Sequence, residues 1–486
     1  MSRHVVRSAL SLILLLGCRS SDLVDPATTL SAQILHNDTT LLRGEIAAIP
    51  SRATYLFGEG LPITVVWGAS DSTVITLARA LNGEVLVTAR ANGTSLLVAR
   101  INETFLDTIT ISVTDTGAVR WRRTLVTTLV TGGVQGWDLA VEQVDGDIAT
   151  TDGNGAVVMF TNAGDTAWIG TQPCFNATGP AVTSSGIFVT GTQCARRFSI
   201  EGSFVWGDTI GGPDERSAVA PNGDLVVLSR PALPDTVLAV SRYDINGGLT
   251  WRDTLYSGAD AVQPRGGIAI ATNGDIYVAW HVGPGFLTRY LANGTERWTV
   301  TLPGVPYETA PAVLGDRVFV VHQRGVSVRD STGAVMYDVA WAAVGGAAEE
   351  MVSPPVVDGA GNLYAQGPFG LFSLSSTGAV RWVADSIRRG SRYDSGPVVL
   401  LGTNALVTLC GLSACGVNAA TGGVTWKGPA LVATAPTHHG GLAVGPGGAI
   451  YVKMDNELIA LWHRRGMAST GWPTLRGNMG RSGMAP

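Results

Sequence analysis

At 486 residues the chain exceeds one usual domain, and two units, one of them large, are expected. Hydrophobic residues make up 45% and charged residues 15%, which excludes an intrinsically disordered polymer. The net charge of −5 comes with no basic stripe, so the electrostatic footprint of nucleic-acid binding is missing.

The first element is an address. Arg3, His4 and Arg7 precede an apolar run from Ala9 to Leu16. That run is too short for a bilayer, which takes about 20 residues. A basic start, a short apolar core and a small residue are the marks of an export signal. The run ends Leu15-Leu16-Gly17-Cys18, which resembles the lipobox of bacterial lipoproteins. The resemblance implies cleavage before Cys18, lipidation of its thiol and a membrane-anchored chain. Arg19 follows where the family's inner-membrane retention signal has Asp, which points to the outer membrane of a cell envelope. Residues 1–18 are thus expected to be a signal peptide with its lipobox, and 19–30 a polar tether.

Residues 31–115 carry short alternating runs: Ile63–Trp67, Glu84–Thr88, Ser95–Ala99 and Thr108–Val113. Asn82-Gly83 and Asn92-Gly93 stand between some of them. Period-two strands with such turns predict a small β-sandwich. Val66-Trp67-Gly-Ala-Ser70-Asp71, then Ala91-Asn-Gly93-Thr94 and a closing Ile-Thr-Ile-Ser-Val, resemble the bacterial group 2 immunoglobulin-like (BIG2) domain.

Residues 116–486 are organised by one phrase, a glycine followed four positions later by an aromatic ring. It occurs as Gly117/Trp121, Gly164/Trp168, Gly202/Trp206, Gly247/Trp251, Gly294/Trp298, Gly333/Tyr337, Gly378/Trp382 and Gly422/Trp426. Successive rings lie 47, 38, 45, 47, 39, 45 and 44 residues apart, the period of a four-stranded propeller blade. Two further elements keep phase with it. One is a small-residue start to a strand, as in Gly267-Ile-Ala-Ile270 and Gly396-Pro-Val-Val399. The other is a turn feeding a strand, as in Asn222-Gly-Asp-Leu225 and Asn273-Gly-Asp-Ile276. Glycine supplies positive φ in the turn, and the ring four positions on lies against a neighbouring sheet. The expectation is an eight-bladed β-propeller, with seven blades as the alternative. Three strands from Gly441 to Leu461 lack an outer partner, and a surplus strand, Gly117–Leu125, precedes the first unit; pairing the two closes the ring.

Asn418-Ala-Ala-Thr421-Gly422-Gly-Val-Thr-Trp426 and Ser376-Thr-Gly-Ala-Val-Arg-Trp382 resemble the PQQ-like (quinoprotein-type) propeller repeat. The C-terminal Gly471-Trp472-Pro473, Arg476-Gly477-Asn478 and Arg481-Ser482-Gly483 resemble a phrase found at the edges of such propellers. Quinoprotein dehydrogenases of this fold use Ca²⁺, a catalytic Asp and often an adjacent Cys-Cys pair. No Cys-Cys occurs here, and the family's calcium ligands and base match no particular residues.

Cys174, Cys194, Cys410 and Cys415 are disulfide candidates in an exported chain. Of three possible pairings, Cys174–Cys194 and Cys410–Cys415 is favoured because each pair falls within one repeat. Asp145, Asp147, Asp152 and Asn154 form the densest acidic cluster, but at hairpin-turn spacing and not that of a calcium loop. His438-His439 and Glu349-Glu350 read as loop residues. No catalytic, cofactor-binding or metal-ligating residue is assigned. The function expected is a lipid-anchored platform binding an envelope protein or glycan, with a divergent dehydrogenase or an adhesion module as alternatives. Replacing Cys18 by Ala is expected to move the protein from the membrane pellet to the soluble fraction; continued sedimentation with membranes would overturn the anchor.

Overall fold

The computed structural model describes residues 30–55, 65–79, 84–101, 104–125, 139–152, 155–174, 178–191, 194–209, 216–230, 237–258, 266–306, 310–347, 352–387, 398–402, 404–433, 439–454, 457–471, 473–474 and 477–478. Cys18, Asn154, Glu349, Glu350 and His438 lie outside them. Within them the regular structure is strand, apart from one 3₁₀ turn at Trp341–Val344. The chain divides between Thr114 and Asp115 into two compact units.

Among the described residues the first unit holds three sheets: a two-stranded pair of Leu30–Ile34 with Ser51–Tyr55, and two larger sheets that share one core. A four-stranded sheet joins Thr39–Leu42, Thr104–Thr114, Gly93–Ile101 and Val66–Ala69, the first pair parallel. A three-stranded sheet joins Ile46–Ile49, Val85–Ala89 and Ile75–Arg79. Leu97, Ala99 and Ile111 of the first meet Ile49, Ile75, Val85 and Val87 of the second in one buried cluster. Val85–Ala89 buries every second residue, as the pleat of a half-covered strand demands. Ile46–Ile49 and Ile75–Arg79 left little trace in the sequence, because alanine and threonine blur the alternation.

Among the described residues the second unit holds eight four-stranded antiparallel sheets. Sheets I to VII are consecutive meanders spanning 139–169, 178–208, 216–257, 267–302, 312–340, 356–384 and 399–427. Sheet VIII takes three strands from His439–Val444, Ile450–Met454 and Glu457–Leu461, and its fourth is Val119–Thr124 from the other end of the unit. The innermost strands of successive sheets touch, and that of sheet VIII touches that of sheet I. Second strands are buried throughout, as in Leu225–Ser229 and Ile450–Met454, because neighbouring sheets cover both faces. Outer strands alternate, as in Glu296–Leu302. At the crowded inner ring small residues are obligatory: a Cβ on Gly267 would stand 2.6 Å from the Cα of Ala310 in the next sheet.

The glycine-to-tryptophan phrase works across the seams. The glycines have φ between +75° and +92°, the left-handed turn conformation. Each is also the seat of the previous phrase's ring. A Cβ on Gly164, Gly202, Gly247, Gly294 or Gly422 would come within 2.5–2.8 Å of Trp121, Trp168, Trp206, Trp251 or Trp382 respectively. Gly333 lies under Trp298 and Gly378 under Tyr337. The series closes on itself, since Gly117 sits under Trp426. Several indoles also donate to the seat's turn: Trp121 Nε1 to Asn162 O at 3.1 Å, Trp168 to Ile200 O at 2.9 Å, Trp206 to Ile245 O at 2.9 Å and Trp382 to Ala419 O at 3.0 Å.

Between sheets II and V a second device reinforces the seam. The residue opposite the tryptophan on the third strand is Arg197, Arg242 and Arg289 in turn. Arg197 Nη1 donates to Ile245 O at 2.6 Å, the carbonyl that Trp206 also uses. Arg242 reaches Ala292 O and Arg289 reaches Ser331 O in the same way. The Asn-Gly-Asp turns supply their counter-charges: Asp224 pairs with Arg242 at 2.9 Å and Asp275 with Arg289 at 2.6 Å.

Trp206→Ala is expected to cost about 3–5 kcal/mol, the usual loss for a buried large ring. Gly247→Ala should also destabilise strongly, because its Cβ would lie 2.8 Å from Trp206 in a strained φ. In the Trp206→Ala background Gly247→Ala should cost clearly less, as read by denaturant midpoints. Additive costs would show that the ring is not seated on that glycine.

Candidate functional site

The two ends of the ring differ. Innermost and second strands are joined at one end by short turns, such as 184–185, 315–316 and 445–449. At the other end, where the innermost strands begin, longer connections lead from sheet to sheet, from 209–215 to 341–355. Long connections on a rigid frame are where binding residues concentrate. The side chains beneath them come from the last residues of the second strands.

The fourth residue of Ile148–Thr151, Leu363–Gly367 and Ile450–Met454 is Thr151, Gln366 and Lys453 in turn, and the fifth of Gly186–Gly191 is Thr190. All four are buried. Their bonds run across seams. Lys453 Nζ donates to Thr151 O at 2.7 Å, tying sheet VIII to sheet I. Thr190 Oγ1 stands 3.0 Å from Ser217 Oγ of sheet III. Gln366 Nε2 donates to Leu409 O and its Oε1 accepts from Thr408 Oγ1, both at 2.9 Å, tying sheet VI to VII. Burial lowers the Lys453 ammonium to about 7, against the opposing pull of Asp152.

Sheet V ends in a denser cluster. His322, opposite Gly325, and Ser327, opposite Val320, are diagonal neighbours on one hairpin, with Nε2 and Oγ 2.9 Å apart. Ser327 Oγ donates to Asp338 Oδ1 at 2.6 Å, and Arg329 Nη1 reaches the same oxygen at 2.8 Å. The other imidazole nitrogen, Nδ1, accepts the Arg324 N–H at 3.2 Å. These contacts fix a neutral ring with its proton on Nε2. Burial, assisted by Arg329 and Arg324 and opposed by Asp338, lowers His322 to about 4. Burial alone would raise the Asp338 carboxyl, but the Arg329 and Ser327 hydrogen bonds outweigh it and hold the group low.

Serine, histidine and aspartate are the residue types of a hydrolase triad, yet the order here is wrong for one. In a triad the histidine stands between the other two and its second nitrogen meets the carboxylate. Here serine is the middle member, its proton is committed to Asp338, and His322 and Ser327 are 2% and 0% exposed. The cluster locks a hairpin and presents no nucleophile. Nor do the neighbouring groups fit a calcium-held quinone. A hard cation needs six or more oxygen ligands, whereas these side chains offer two hydroxyls, one amide and an ammonium, and the Thr190 hydroxyl, the amide and the ammonium are already bonded across seams. Among the described residues no group of three or more His, Cys, Asp or Glu side chains is placed to hold a metal ion.

The residues singled out in the sequence fall as follows. Cys174 meets Cys194 with Cα atoms 5.8 Å apart, and Cys410 meets Cys415 at 6.0 Å, both within disulfide reach and both at the end where innermost strands begin. Asp145 and Asp147 lie at the opposite end in the turn after Leu139–Val141, where Asp147 Oδ1 accepts the Asn162 N–H at 3.1 Å. Partial burial raises Asp147, with Asp145 and Glu142 adding repulsion. Asp152 ends its strand near Lys453. His439 opens the innermost strand of sheet VIII. Sequence inspection missed His322, Gln366 and Lys453. Each was visible as one polar residue closing an apolar run: Val318-Phe-Val-Val-His322, Leu363-Tyr-Ala-Gln366 and Ile450-Tyr-Val-Lys453.

Residues 235–465, a little under half of the chain, match the family model described as outer membrane protein assembly factor BamB. The C-terminal WD40 domain of Sif2 superposes with a TM-score of 0.52 at 7% identity, covering 71% of this chain and 99% of that one. BamB from Moraxella catarrhalis gives 0.48 at 13% identity, covering 70% and 99%. A quinonprotein alcohol dehydrogenase-like protein from Bacteroides thetaiotaomicron gives 0.39 at 12%, covering 72% and 95%. No curated protein matches the sequence. The Sif2 superposition shows a propeller fold, and residues 235–465 are similar to the PQQ-like repeats that the family model describes.

Because folded His322 titrates at about 4 and the free imidazole at 6.5, the folded state binds fewer protons between those values. Stability should therefore be complete above pH 6.5 and fall through the window down to 4, by about 3 kcal/mol for a difference of that size. His322→Gln should flatten that part of the profile, measured as denaturant midpoints at pH 7, 5.5 and 4.5. An unchanged acid slope would mean that His322 is not buried neutral.

Proposed function

We propose that this chain is a lipid-anchored protein of the bacterial envelope whose eight-bladed propeller is a non-catalytic binding and scaffolding platform. Residues 31–115, a sandwich of immunoglobulin-like (BIG2) type, serve as a spacer between the lipidated Cys18 and the propeller. The observation that carries the proposal is the fate of the polar side chains below the long connections. Lys453, Gln366, Thr190 and His322 bond across seams or within a hairpin. Such bonds stiffen the frame, and a stiff frame lets the connections above it hold a partner's surface. The family match over 235–465, to a model described as an assembly factor, supports the same role. The partner class is another envelope protein.

Two measurements test this. Affinity isolation of the lipidated protein from crosslinked envelopes should return a stoichiometric envelope protein, and recovery of the protein alone would sink the platform role. Mixing the purified protein with pyrroloquinoline quinone and Ca²⁺ should give neither a bound-cofactor absorbance nor alcohol-dependent dye reduction. Either signal would establish a dehydrogenase instead.

A further inference from the structure

Within the described part of the second unit, asparagine precedes glycine four times: Asn222-Gly223, Asn246-Gly247, Asn273-Gly274 and Asn293-Gly294. The four turns share one backbone. Each glycine has φ between +85° and +88°, and each glycine N–H donates at 2.9 Å to the carbonyl three residues before it. All four asparagines are exposed. What separates them is how each amide is held. Asn222 Nδ2 donates to Asp224 Oδ2 at 2.8 Å, and its Oδ1 accepts from Asp224 N and Arg242 Nη2, both at 3.3 Å. Asn273 makes the same pair of bonds with Asp275, both at 3.0 Å. Asn293 Oδ1 accepts the Thr295 N–H at 3.1 Å.

Asn246 is different. In its turn the side-chain acceptor is Asp244, whose Oδ1 takes the Asn246 N–H at 2.7 Å and the Gly248 N–H at 2.9 Å. Among the described residues the Asn246 amide has no hydrogen-bond partner. The residue also stands in the middle of the Trp206 seat. The carbonyl before it, Ile245 O, accepts from Trp206 Nε1 at 2.9 Å and from Arg197 Nη1 at 2.6 Å. The residue after it, Gly247, lies under the ring, and a Cβ there would stand 2.8 Å from Trp206 Cδ2. The seam between sheets II and III therefore depends on the spacing of Ile245 and Gly247.

We propose that Asn246 is a self-modification site, at which the side-chain amide is lost to the Gly247 nitrogen and the isoaspartate produced loosens Trp206 from its seat. The Gly247 nitrogen attacks Cγ of Asn246 and gives up its proton. A C–N bond closes a cyclic imide, the Cγ–Nδ2 bond breaks, and ammonia leaves. Water, the one co-reactant, then opens the ring. Opening at Cγ leaves aspartate; opening at the main-chain carbonyl leaves isoaspartate, with the chain running on through Cβ and Cγ. Glycine allows the attack because no Cβ blocks the close approach to its nitrogen. A free amide can turn its Cγ toward that nitrogen, whereas an amide fixed by hydrogen bonds is held out of line. Isoaspartate adds one methylene to the path from Ile245 to Gly247. The carbonyl that takes the indole N–H and the glycine that seats the ring then no longer meet Trp206 together. The new carboxylate adds a charge at the same turn.

The test ages the full chain in mildly alkaline buffer and follows it by peptide mapping. The amide-to-acid mass change should appear at 246 about tenfold faster than at 222, 273 or 293, because the other amides are held out of line. In denaturant, where no amide is held, the four rates should converge. Isoaspartate at 246 is counted by enzymatic methylation of its carboxylate. As it accumulates, the denaturant midpoint of the aged protein should fall. Aged Asn246→Gln, which cannot follow this path at the same rate, should keep the wild-type midpoint. Fresh Asn246→Asp carries the charge without the extra methylene and should keep it too. Faster reaction at another of the four sites, the same preference in denaturant, aspartate alone at 246, or an unchanged midpoint in protein carrying isoaspartate there would each overturn the proposal. None of these results bears on the platform role, which is read from envelope partners.

Discussion

The second unit depends on one contact repeated around a ring: an aromatic side chain laid on a glycine of the next sheet. A four-stranded sheet cannot bury both of its faces by itself, and stacking sheets side by side leaves the seams to be filled. Tryptophan fills a seam with a large apolar surface and donates its indole N–H to the turn that seats it. The seat must lack a Cβ, because the ring lies where that atom would be. The glycine is thus fixed twice, by its own positive φ and by the preceding sheet's ring. Its spacing from its own tryptophan follows, since one residue more or fewer would turn the ring to solvent. Tyr337 shows the tolerance of the device: a smaller ring still covers Gly378.

The polar residues obey a complementary logic. Buried hydrogen-bonding groups left unmatched are costly, and several of those that interrupt the apolar second strands find their partners on the adjoining sheet. Gln366 takes Leu409 O and Lys453 takes Thr151 O. The lysine is the expensive case. Its depressed pKa measures the penalty of holding an ammonium there, and it sits at the seam between sheets VIII and I. Two disulfide pairs bind the same end of the ring. Cross-seam bonds and cysteine pairs are thus gathered at the end where the innermost strands begin.

The frame was readable because its determinants are local and periodic. Gly117 to Trp426 repeats in phase, and turns such as Asn273-Gly-Asp275 mark the strands. The surplus strand Gly117–Leu125 and the incomplete set after Gly441 pointed to each other. What could not be read was every relation between repeats. The sequence explains why Gly247 needs positive φ but not that Trp206 covers it. Asp275 looked like an ordinary turn residue, and only the fold brings it to Arg289. His322, Ser327 and Asp338 lie close together in the chain, yet nothing local tells a hydrogen-bonded lock from a reactive group; burial and the order of contacts decide it. Asp145 and Asp147, read from their spacing as hairpin-turn residues, stand in the short turn after Leu139–Val141.

Closure raises a problem of its own. Seven sheets form from neighbouring sequence, but sheet VIII joins Val119–Thr124 to strands more than three hundred residues later, and Arg122 Nη1 meets Glu457 Oε2 at 3.1 Å across that gap. Long loops cost entropy only slowly as they lengthen, so the separation itself is tolerable in stability. The difficulty is kinetic: until the last strands exist, one face of sheet I and one edge of Val119–Thr124 stay exposed. The remedies visible in the structure all act at the two ends of the gap. Trp426 seats on Gly117, Lys453 crosses to Thr151, and the chain beyond Leu461 bonds first to Ala118 and then to Leu400. Closing the ring and filling the free edge of Val399–Leu401 are therefore performed by one continuous stretch of chain, from Glu457 to Ala468.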